Sequence, residues 1–346
     1  LFFGCKKNNP ETETSRFNYF PPINSAIWET IHPAKLNWDE SELPKLYSFL
    51  EQKNTKAFII IKDGRIVVER YFSSFTQESN WYWASAGKTL TAFLVGIAQA
   101  DGKLNINDRT SKYLGASWTS LPPEKEASIS IRHQLTMTTG LDDNTGDVDC
   151  TTPECLQYKA EAGARWAYHN APYTLLEKVV EKATGSSYNQ YFQQKVRDKI
   201  GMDGLWVKNG YNNVYFSTAR SMARFGLLLL SKGKWNETFI LEDDNYYNNQ
   251  TNSSQELNSS YGYLTWLNGK NSYKLPQTQI TFNGPLIPNA PLDTYAALGK
   301  NDQKLYVVPS QNLVVVRMGE SAGNAQLAAS SFDNELWGIL KGFIKL

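Results

Sequence analysis

Residues 81–102 read WYWASAGKTLTAFLVGIAQADG, and this stretch decides how the rest of the sequence is interpreted. After Lys88, apolar residues recur at the spacing of one face of an α-helix: Leu90, Phe93, Leu94, Ile97 and Ala98. The Asp101-Gly102 pair predicts the end of that helix, with glycine just beyond its last turn. The pattern therefore predicts a buried helix that carries Ser85 in its first turn and Lys88 one turn later on the same side.

A serine and a lysine at the mouth of a buried helix favour nucleophilic catalysis. A serine hydroxyl becomes a nucleophile only when a base removes its proton. Lys88 can be that base only if it is neutral, and holding a lysine neutral at pH 7 costs about 4–5 kcal/mol, which burial must supply. The backbone N–H of Ser85, at the positive end of the helix dipole, is a candidate donor to the oxyanion of an attacked carbonyl.

The S-x-x-K spacing is weak evidence alone, because the sequence contains it twice. The second match, from Ser231 to Lys234, falls at a predicted helix end and includes Gly233. Only the first match opens an apolar helix, so Ser85 and Lys88 are the predicted nucleophile and base.

A second motif, Tyr168-His169-Asn170, lies on a predicted loop before a helix that begins near Pro172. A phenol with a pKa near 10 can share a proton with Lys88, so that one of the two groups is charged at a time. Position selects this motif, since Y-x-N also matches at Tyr211, Tyr246 and Tyr247.

The composition is that of a folded protein without a bias toward charged partners. The 346 residues are 41% hydrophobic and 13% aromatic, and the net charge is +1. These values argue against a general nucleic-acid or membrane-surface binder. No apolar run approaches the roughly 18 residues of a membrane-spanning helix. The three His and three Cys lack the spacing of metal ligands, so no metal and no organic cofactor is expected.

Strand patterns at both ends of the chain enclose a region of helices and loops. Residues 56–62 and 65–72 are β-branched runs joined by Asp63-Gly64, which predicts a hairpin. Further strands are predicted over 261–266, 294–299, 305–309 and 313–318, and helices over 43–51, 172–185, 188–200, 218–232 and 324–343. We therefore predict an α/β (α+β) fold, with an antiparallel sheet flanked by helices plus a helical subdomain. The predicted single catalytic domain covers 18–346, with a sheet half (18–103 and 255–346) and a helical half (104–254).

The first residues suggest export. The sequence Leu1-Phe2-Phe3-Gly4-Cys5 resembles the end of a bacterial lipoprotein signal, in which Cys5 would carry lipid and residues 1–17 would form a tether. The alternative is an arbitrary chain start with a chance cysteine. The first interpretation predicts a secreted, periplasmic or outer-membrane lipoprotein. Cys150 and Cys155 bound a loop short enough to close as a disulfide in an oxidising compartment.

Taken together, S-x-x-K on a buried helix, a later Y-x-N loop and a terminal strand with glycine resemble the serine β-lactamase and penicillin-binding protein superfamily. The likeness is to its class C-like branch, which also holds esterases, D-amino-acid peptidases and 6-aminohexanoate-dimer hydrolases, and it runs from about 58 to 318. The resemblance implies a β-lactamase/transpeptidase-like fold and an acyl-enzyme on Ser85. It also implies that Lys88 and Tyr168 form the general-base pair and that Asn170 contacts a small-molecule ester, amide or peptide substrate.

The third family motif departs from the pattern. The family has Lys or His, a small residue and Gly, whereas this sequence has Ala297-Leu298-Gly299 followed by Lys300. The cation that would hold a β-lactam or peptide carboxylate is missing at that position. Gly299 keeps a close approach, and the Lys300 N–H is a candidate second oxyanion donor. An esterase or small-amide hydrolase is therefore favoured over a β-lactamase or D,D-peptidase.

Several alternatives compete with this interpretation. Residues 319–323 match the G-x-S-x-G elbow of an α/β-hydrolase, but that fold needs a histidine after Ser321, and the last one is His169. A second alternative uses His169 or His133 in place of Lys88 as the base, and His169 is also a candidate substrate contact.

Two further features remain open at the level of the sequence. The acidic residues of one loop are either solvated or recognise a cationic substrate group: Asp142, Asp143, Asp147 and Asp149. A non-catalytic peptidoglycan- or β-lactam-binding sensor is a second function class. Retention of Ser85, Lys88 and Tyr168 together argues against it.

Overall fold

The computed structural model describes residues 19–323 and 328–346, and the elements below are those of these ranges. The helices are α1 Leu43–Gln52, α2 Gly87–Ala100, α3 Ser111–Leu114, α4 Pro123–Glu126, α5 Ile131–Leu135, α6 Asn170–Thr174, α7 Leu176–Thr184, α8 Tyr188–Phe192, α9 Asp198–Ile200, α10 Ala219–Leu230, α11 Asp244–Thr251 and α12 Ser331–Ile344. The strands are β1 Thr55–Lys62, β2 Arg65–Tyr71, β3 Trp81–Tyr82, β4 Leu205–Asn209, β5 Asn212–Ser217, β6 Lys234–Trp235, β7 Thr238–Phe239, β8 Trp266–Leu267, β9 Ser272–Lys274, β10 Thr281–Asn283, β11 Tyr295–Gly299, β12 Gln303–Val308 and β13 Leu313–Gly319.

An antiparallel sheet joins strands from both ends of the chain in the order β2-β1-β13-β12-β11-β8. The two ends of the chain meet where β1 pairs with β13, and there Ile59 lies opposite Val316. The β1–β2 turn places Asp63 and Gly64 at positive φ (51° and 80°), the conformation that this dipeptide favours. The predicted hairpin, antiparallel sheet and mixed α/β class are thus confirmed.

Helices cover both faces of this sheet. On one face α10 packs so closely that a Cβ added at Gly226 would lie 2.5 Å from Val314 Cγ1 and 2.6 Å from Leu305 Cδ1. On the other face α12 packs on Tyr306, the residue that follows Leu305 in β12. The rings of Tyr306 and Trp337 lie 5.6 Å apart. Since adjacent strand residues point to opposite faces, the two helices lie on opposite sides.

Helix α2 is buried along most of its length, since every residue from Gly87 to Ala98 is buried. It contacts α7, α11 and β11. Tyr246 of α11 fixes it from one side, because its hydroxyl donates to Ala92 O at 2.6 Å and its ring fills the space beside Gly96. A helix held on several sides gives a fixed position to the residues at its N-terminus.

Some predicted bounds differ from the structure. The helix predicted over 172–185 is two helices, α6 and α7, and α12 begins at Ser331, whereas 324–327 lie outside the described residues. The strand predicted over 261–266 is wrong for most of its length. There the chain makes a tight turn in which Gly262 N–H donates to Thr265 O and Leu264 has a positive φ of 48°. The predicted tether, 1–17, and Cys5 also lie outside the described residues.

Within the described residues, no helix is both long enough and apolar enough to cross a membrane. The same ranges contain no group of three or more His, Cys, Asp or Glu side chains arranged to hold a metal ion.

Candidate active site

Ser85 lies in a short 3-10 turn, Ala84–Ala86, that leads directly into α2. The turn enters sharply, since Ala84 has a positive φ of 47°. One helical turn later, Lys88 Nζ donates a hydrogen bond to Ser85 Oγ at 3.0 Å. The structure therefore places the two residues of the first S-x-x-K motif in direct contact, in a geometry that lets a neutral Lys88 accept the Ser85 proton.

Burial changes the protonation of Lys88. Its side chain is only 3% exposed. This desolvation lowers the pKa of Lys88 from 10.5 to about 7, and the negative charge of Asp149 opposes the shift. Two phenol rings enclose the amine, with Nζ 4.2 Å from the Tyr173 centroid and 4.9 Å from the Tyr168 centroid. Lys88 is therefore a base with a substantial neutral fraction near pH 7.

Tyr168 is a neutral phenol beside this pair. Its ring is partly exposed, but its hydroxyl oxygen is buried and makes no hydrogen bond within the described part of the chain. Burial raises the pKa of Tyr168 far above its ordinary value, and the nearby Ser85 side chain lowers this pKa by a smaller amount. Trp266 stacks on the ring at 5.7 Å and holds it in place. Tyr168 is thus a proton donor at neutral pH, and Lys88 is the better base.

Asn170 and His169 follow Tyr168 but have different surroundings. Asn170 begins α6, and its Nδ2 donates to Asp149 Oδ1 at 2.7 Å. His169 is 2% exposed, and burial lowers its pKa to about 4. His133 instead accepts a hydrogen bond from Ser130 N–H at 3.1 Å and caps α5. Neither histidine contacts Ser85 within the described ranges, so the geometry favours Lys88 as the base.

A cleft of about 500 Å³ opens at Ser85. Its walls include the predicted residues Ser85, Tyr168, Asn170 and Lys300, together with Asp143, Asp149 and Gln277. His169 is not among the lining residues. Lys300 brings a positive charge to the cleft one residue after Gly299, so a cation is present although the family position before glycine lacks one.

Gly299, at the end of β11, lies against the turn that carries Ser85. A Cβ at this position would lie 2.5 Å from Trp83 O and 3.2 Å from Ser85 N, so only glycine fits. The next residues, Lys300–Asp302, form a turn in which Asn301 has a positive φ of 58°. This close approach brings Gly299 beside the Ser85 N–H, and a pair of oxyanion donors needs two N–H groups that converge in this way.

The acidic loop is followed directly by the Cys150–Cys155 disulfide. Asp142 faces Lys159 at 3.4 Å and Asp143 faces Arg165 at 2.7 Å. Two acids, Asp143 and Asp149, nevertheless line the cleft. The loop is therefore partly a set of internal ion pairs and partly a wall of the site.

Tyr173 and Gln277 are site residues that the sequence does not predict, and Asp149 is one whose role the sequence leaves open. Tyr173 follows Tyr168 by a little more than one helical turn, but the motif gives no reason to expect its ring on Lys88. Gln277 comes from the β9–β10 connection, which carries no recognisable motif. Only Asp149 had a signal, because it belongs to the acidic loop beside Cys150.

Comparisons with known proteins identify the family of this chain. The family model described as Beta-lactamase matches residues 50–336. An uncharacterized protein of Alkalihalophilus pseudofirmus is 25% identical over 305 residues, which cover 77% of this chain and 84% of that protein. The 6-aminohexanoate-dimer hydrolase of Paenarthrobacter ureafaciens is 23% identical over 232 residues, which cover 56% of each chain.

Solved structures show the same fold. A candidate 6-aminohexanoate-dimer hydrolase from Bacillus anthracis has a TM-score of 0.71 at 19% identity, covering 94% of this chain and 90% of that chain. The octameric penicillin-binding protein homologue from Pyrococcus abyssi has a TM-score of 0.63 at 16% identity, covering 87% of this chain and 77% of that chain. The predicted fold class and family resemblance are confirmed: the chain belongs to the β-lactamase family of serine hydrolases and has the β-lactamase/transpeptidase-like fold.

Proposed function

We propose that this protein cleaves an ester or amide bond through an acyl-enzyme formed on Ser85. The observation that carries the proposal is the 3.0 Å contact between Ser85 Oγ and the Nζ of Lys88, a lysine that is almost fully buried. A lysine kept neutral by burial has no structural purpose that methionine or leucine would not serve better, because burying an amine is unfavourable. Beside a serine at a helix N-terminus, it serves as a base.

In the first half-reaction, neutral Lys88 takes the Ser85 proton while Oγ attacks the substrate carbonyl. The oxyanion accepts hydrogen bonds from the N–H groups of Ser85 and Lys300. Tyr168 donates its proton to the leaving oxygen or nitrogen, and the Lys88 ammonium returns a proton to Tyr168. The bond to the leaving group breaks, and an acyl-Ser85 ester remains.

In the second half-reaction, water replaces the leaving group. The Lys88–Tyr168 pair takes a proton from the water as it attacks the ester carbonyl. Ser85 then leaves with that proton and the acid product departs. No further side chain is needed for proton transfer, because the pair returns to its starting state.

We propose an esterase or small-amide hydrolase in preference to a β-lactamase or D,D-peptidase. The cleft lacks a cation before Gly299, and its cation Lys300 is offset by Asp143 and Asp149 on the facing loop. Similarity to a 6-aminohexanoate-dimer hydrolase supports a small amide. Retention of the Ser85, Lys88 and Tyr168 constellation argues against a sensor without turnover.

We also propose export from the cell. The Cys150–Cys155 disulfide supports an oxidising compartment. A lipid anchor at Cys5 belongs to the same proposal.

A substrate panel tests the function. Short-chain aryl esters, a chromogenic cephalosporin, D-amino-acid peptides and linear amide oligomers are compared, with Ser85→Ala as blank. Ser231→Ala is a matched control, because it removes the serine of the other S-x-x-K motif. We expect turnover that is lost in Ser85→Ala and kept in Ser231→Ala. Turnover by Ser85→Ala above about one part in a thousand would refute the nucleophile assignment.

A further inference from the structure

The segment 147–150 is fixed against the start of α6. Val148 O accepts the Ala171 N–H at 3.1 Å, and the Asp149 carboxylate accepts the Asn170 side-chain N–H at 2.7 Å. Asp147 accepts the backbone N–H of Asp149 at 2.9 Å. The disulfide of Cys150 follows directly. Asp149 is therefore held in one place by contacts on both sides of it.

This contact fixes the orientation of the Asn170 amide. An ionised carboxylate can only accept hydrogen bonds, so the NH₂ end of the amide must face Asp149 and the carbonyl end must face elsewhere in the site. The Asn170 Oδ1 is buried and has no partner among the described residues, so no other group sets its orientation. Since Asn170 lines the cleft next to Tyr168, Asp149 controls what this amide presents to a substrate.

Asp149 also acts on Lys88. The Lys88 amine contacts the Ser85 hydroxyl and the rings of Tyr168 and Tyr173, and the charge of Asp149, a residue of the cleft wall, acts on it electrostatically. Burial raises the pKa of both tyrosines, so they are neutral. Among the described residues that act on this amine, Asp149 is the one whose negative charge favours the ammonium form of Lys88.

We propose that Asp149 is a positioning residue for acylation, which orients Asn170 through its hydrogen bond and stabilises the Lys88 ammonium that forms when Ser85 is deprotonated. This inference rests on the proposed function of Ser85 and Lys88. It assigns a role to the acidic loop that a set of solvated acids would not have.

Three variants separate the two effects. Asp149→Asn removes the charge but keeps an acceptor for Asn170, Asp149→Ala removes both, and Asn170→Ala removes the amide. Glu154→Gln is the matched control, because it makes the same change of charge at an exposed position inside the neighbouring disulfide ring. The readouts are the pH dependence of kcat/KM and the rate of fluorophosphonate labelling of Ser85.

We expect Asp149→Asn to move the acidic limb of both profiles to lower pH by about 0.5–1 unit, because the ammonium loses a favourable charge. Its plateau should fall about 3–10-fold, since Lys88 becomes a weaker base. Asp149→Ala should lower kcat/KM further than Asp149→Asn does, by the same factor as Asn170→Ala lowers it in the native protein. The double variant Asp149→Ala/Asn170→Ala should be as active as Asp149→Ala, since both changes remove the same hydrogen bond between these two residues. Glu154→Gln should leave the limb in place.

Failure of this inference is distinguishable from failure of the function. An acidic limb that does not move in Asp149→Asn, or losses that multiply in the double variant, would overturn the role of Asp149 while Ser85 stayed the nucleophile. If the native protein has neither turnover nor Ser85 labelling, the function fails. In that case the pKa of Lys88, read from ¹³Cε lysine shifts with Lys88→Met for assignment, still tests Asp149: an unchanged pKa in Asp149→Asn contradicts the proposal.

Discussion

Replacing Lys88 by methionine should abolish activity and stabilise the protein. Burial lowers the pKa of Lys88 from 10.5 to about 7. Below pH 7 the native state must hold a buried ammonium. The difference in pKa means that this lowers the free energy of unfolding by about 5 kcal/mol. Between pH 7 and 10.5 the unfolded chain binds the proton and the native chain does not, so this loss of stability shrinks as pH rises.

Methionine has a similar length and suits the two tyrosine rings around the Nζ position. The variant loses the hydrogen bond to Ser85 and the cation–π contacts, so the net gain should be about 2–4 kcal/mol at pH 6–7. The gain should decline toward zero near pH 10. Turnover should fall at least about a thousandfold, because no other base is hydrogen-bonded to Ser85 in the part of the chain that the structure describes.

Urea denaturation of both proteins at pH 6, 7, 8, 9 and 10 measures this effect. Lys103→Met is the control, since the same change at an exposed lysine should alter stability by less than about 0.5 kcal/mol at every pH. A Lys88→Met protein that is less stable than the native one at pH 6, or a gain that is independent of pH, would refute the reasoning that burial neutralises this lysine.

Three other substitutions have distinct expected effects. Tyr168→Phe should lower kcat about 10²–10⁴-fold without lowering Tm, because the deleted hydroxyl has no hydrogen bond to lose in the described structure. A lower Tm would show that the hydroxyl is structural. Gly299→Ala should reduce activity at least about tenfold and stability by about 1–3 kcal/mol, since its methyl would lie 2.5 Å from Trp83 O; native activity and Tm would contradict the close approach. Arg317→Met should destabilise the fold by about 3–5 kcal/mol in a denaturation assay. The reason is that this fully buried guanidinium donates to four backbone carbonyls and the Thr55 hydroxyl. A change below about 1 kcal/mol would contradict that network.

The parts of the site that lie close together in sequence could be predicted from it. Ser85 and Lys88 meet because they are one helical turn apart, and the apolar residues after them predict burial. The Asp63-Gly64 turn predicts the β1–β2 hairpin for the same local reason. Such features depend on periodicity and turn chemistry, which a single sequence contains.

The rest depends on tertiary contacts. The ring of Tyr173 in α6 lies 4.2 Å from the Lys88 amine, and Asp149 reaches Asn170 because the segment before Cys150 is hydrogen-bonded to the start of α6. Neither pairing leaves a pattern in the sequence. The same holds for Lys300. The third motif lacks a cation before Gly299, but the residue after Gly299 is a lysine, and the turn there brings it to the cleft.

The central claim is that Ser85 is the residue that is acylated, and mass spectrometry tests it most directly. The native protein, Ser85→Ala and Ser231→Ala are incubated with a fluorophosphonate, and the intact masses and labelled peptides are determined. We predict one adduct on Ser85 in the native protein and in Ser231→Ala, and none in Ser85→Ala. An adduct on another residue, or equal labelling of Ser85→Ala, would contradict the account.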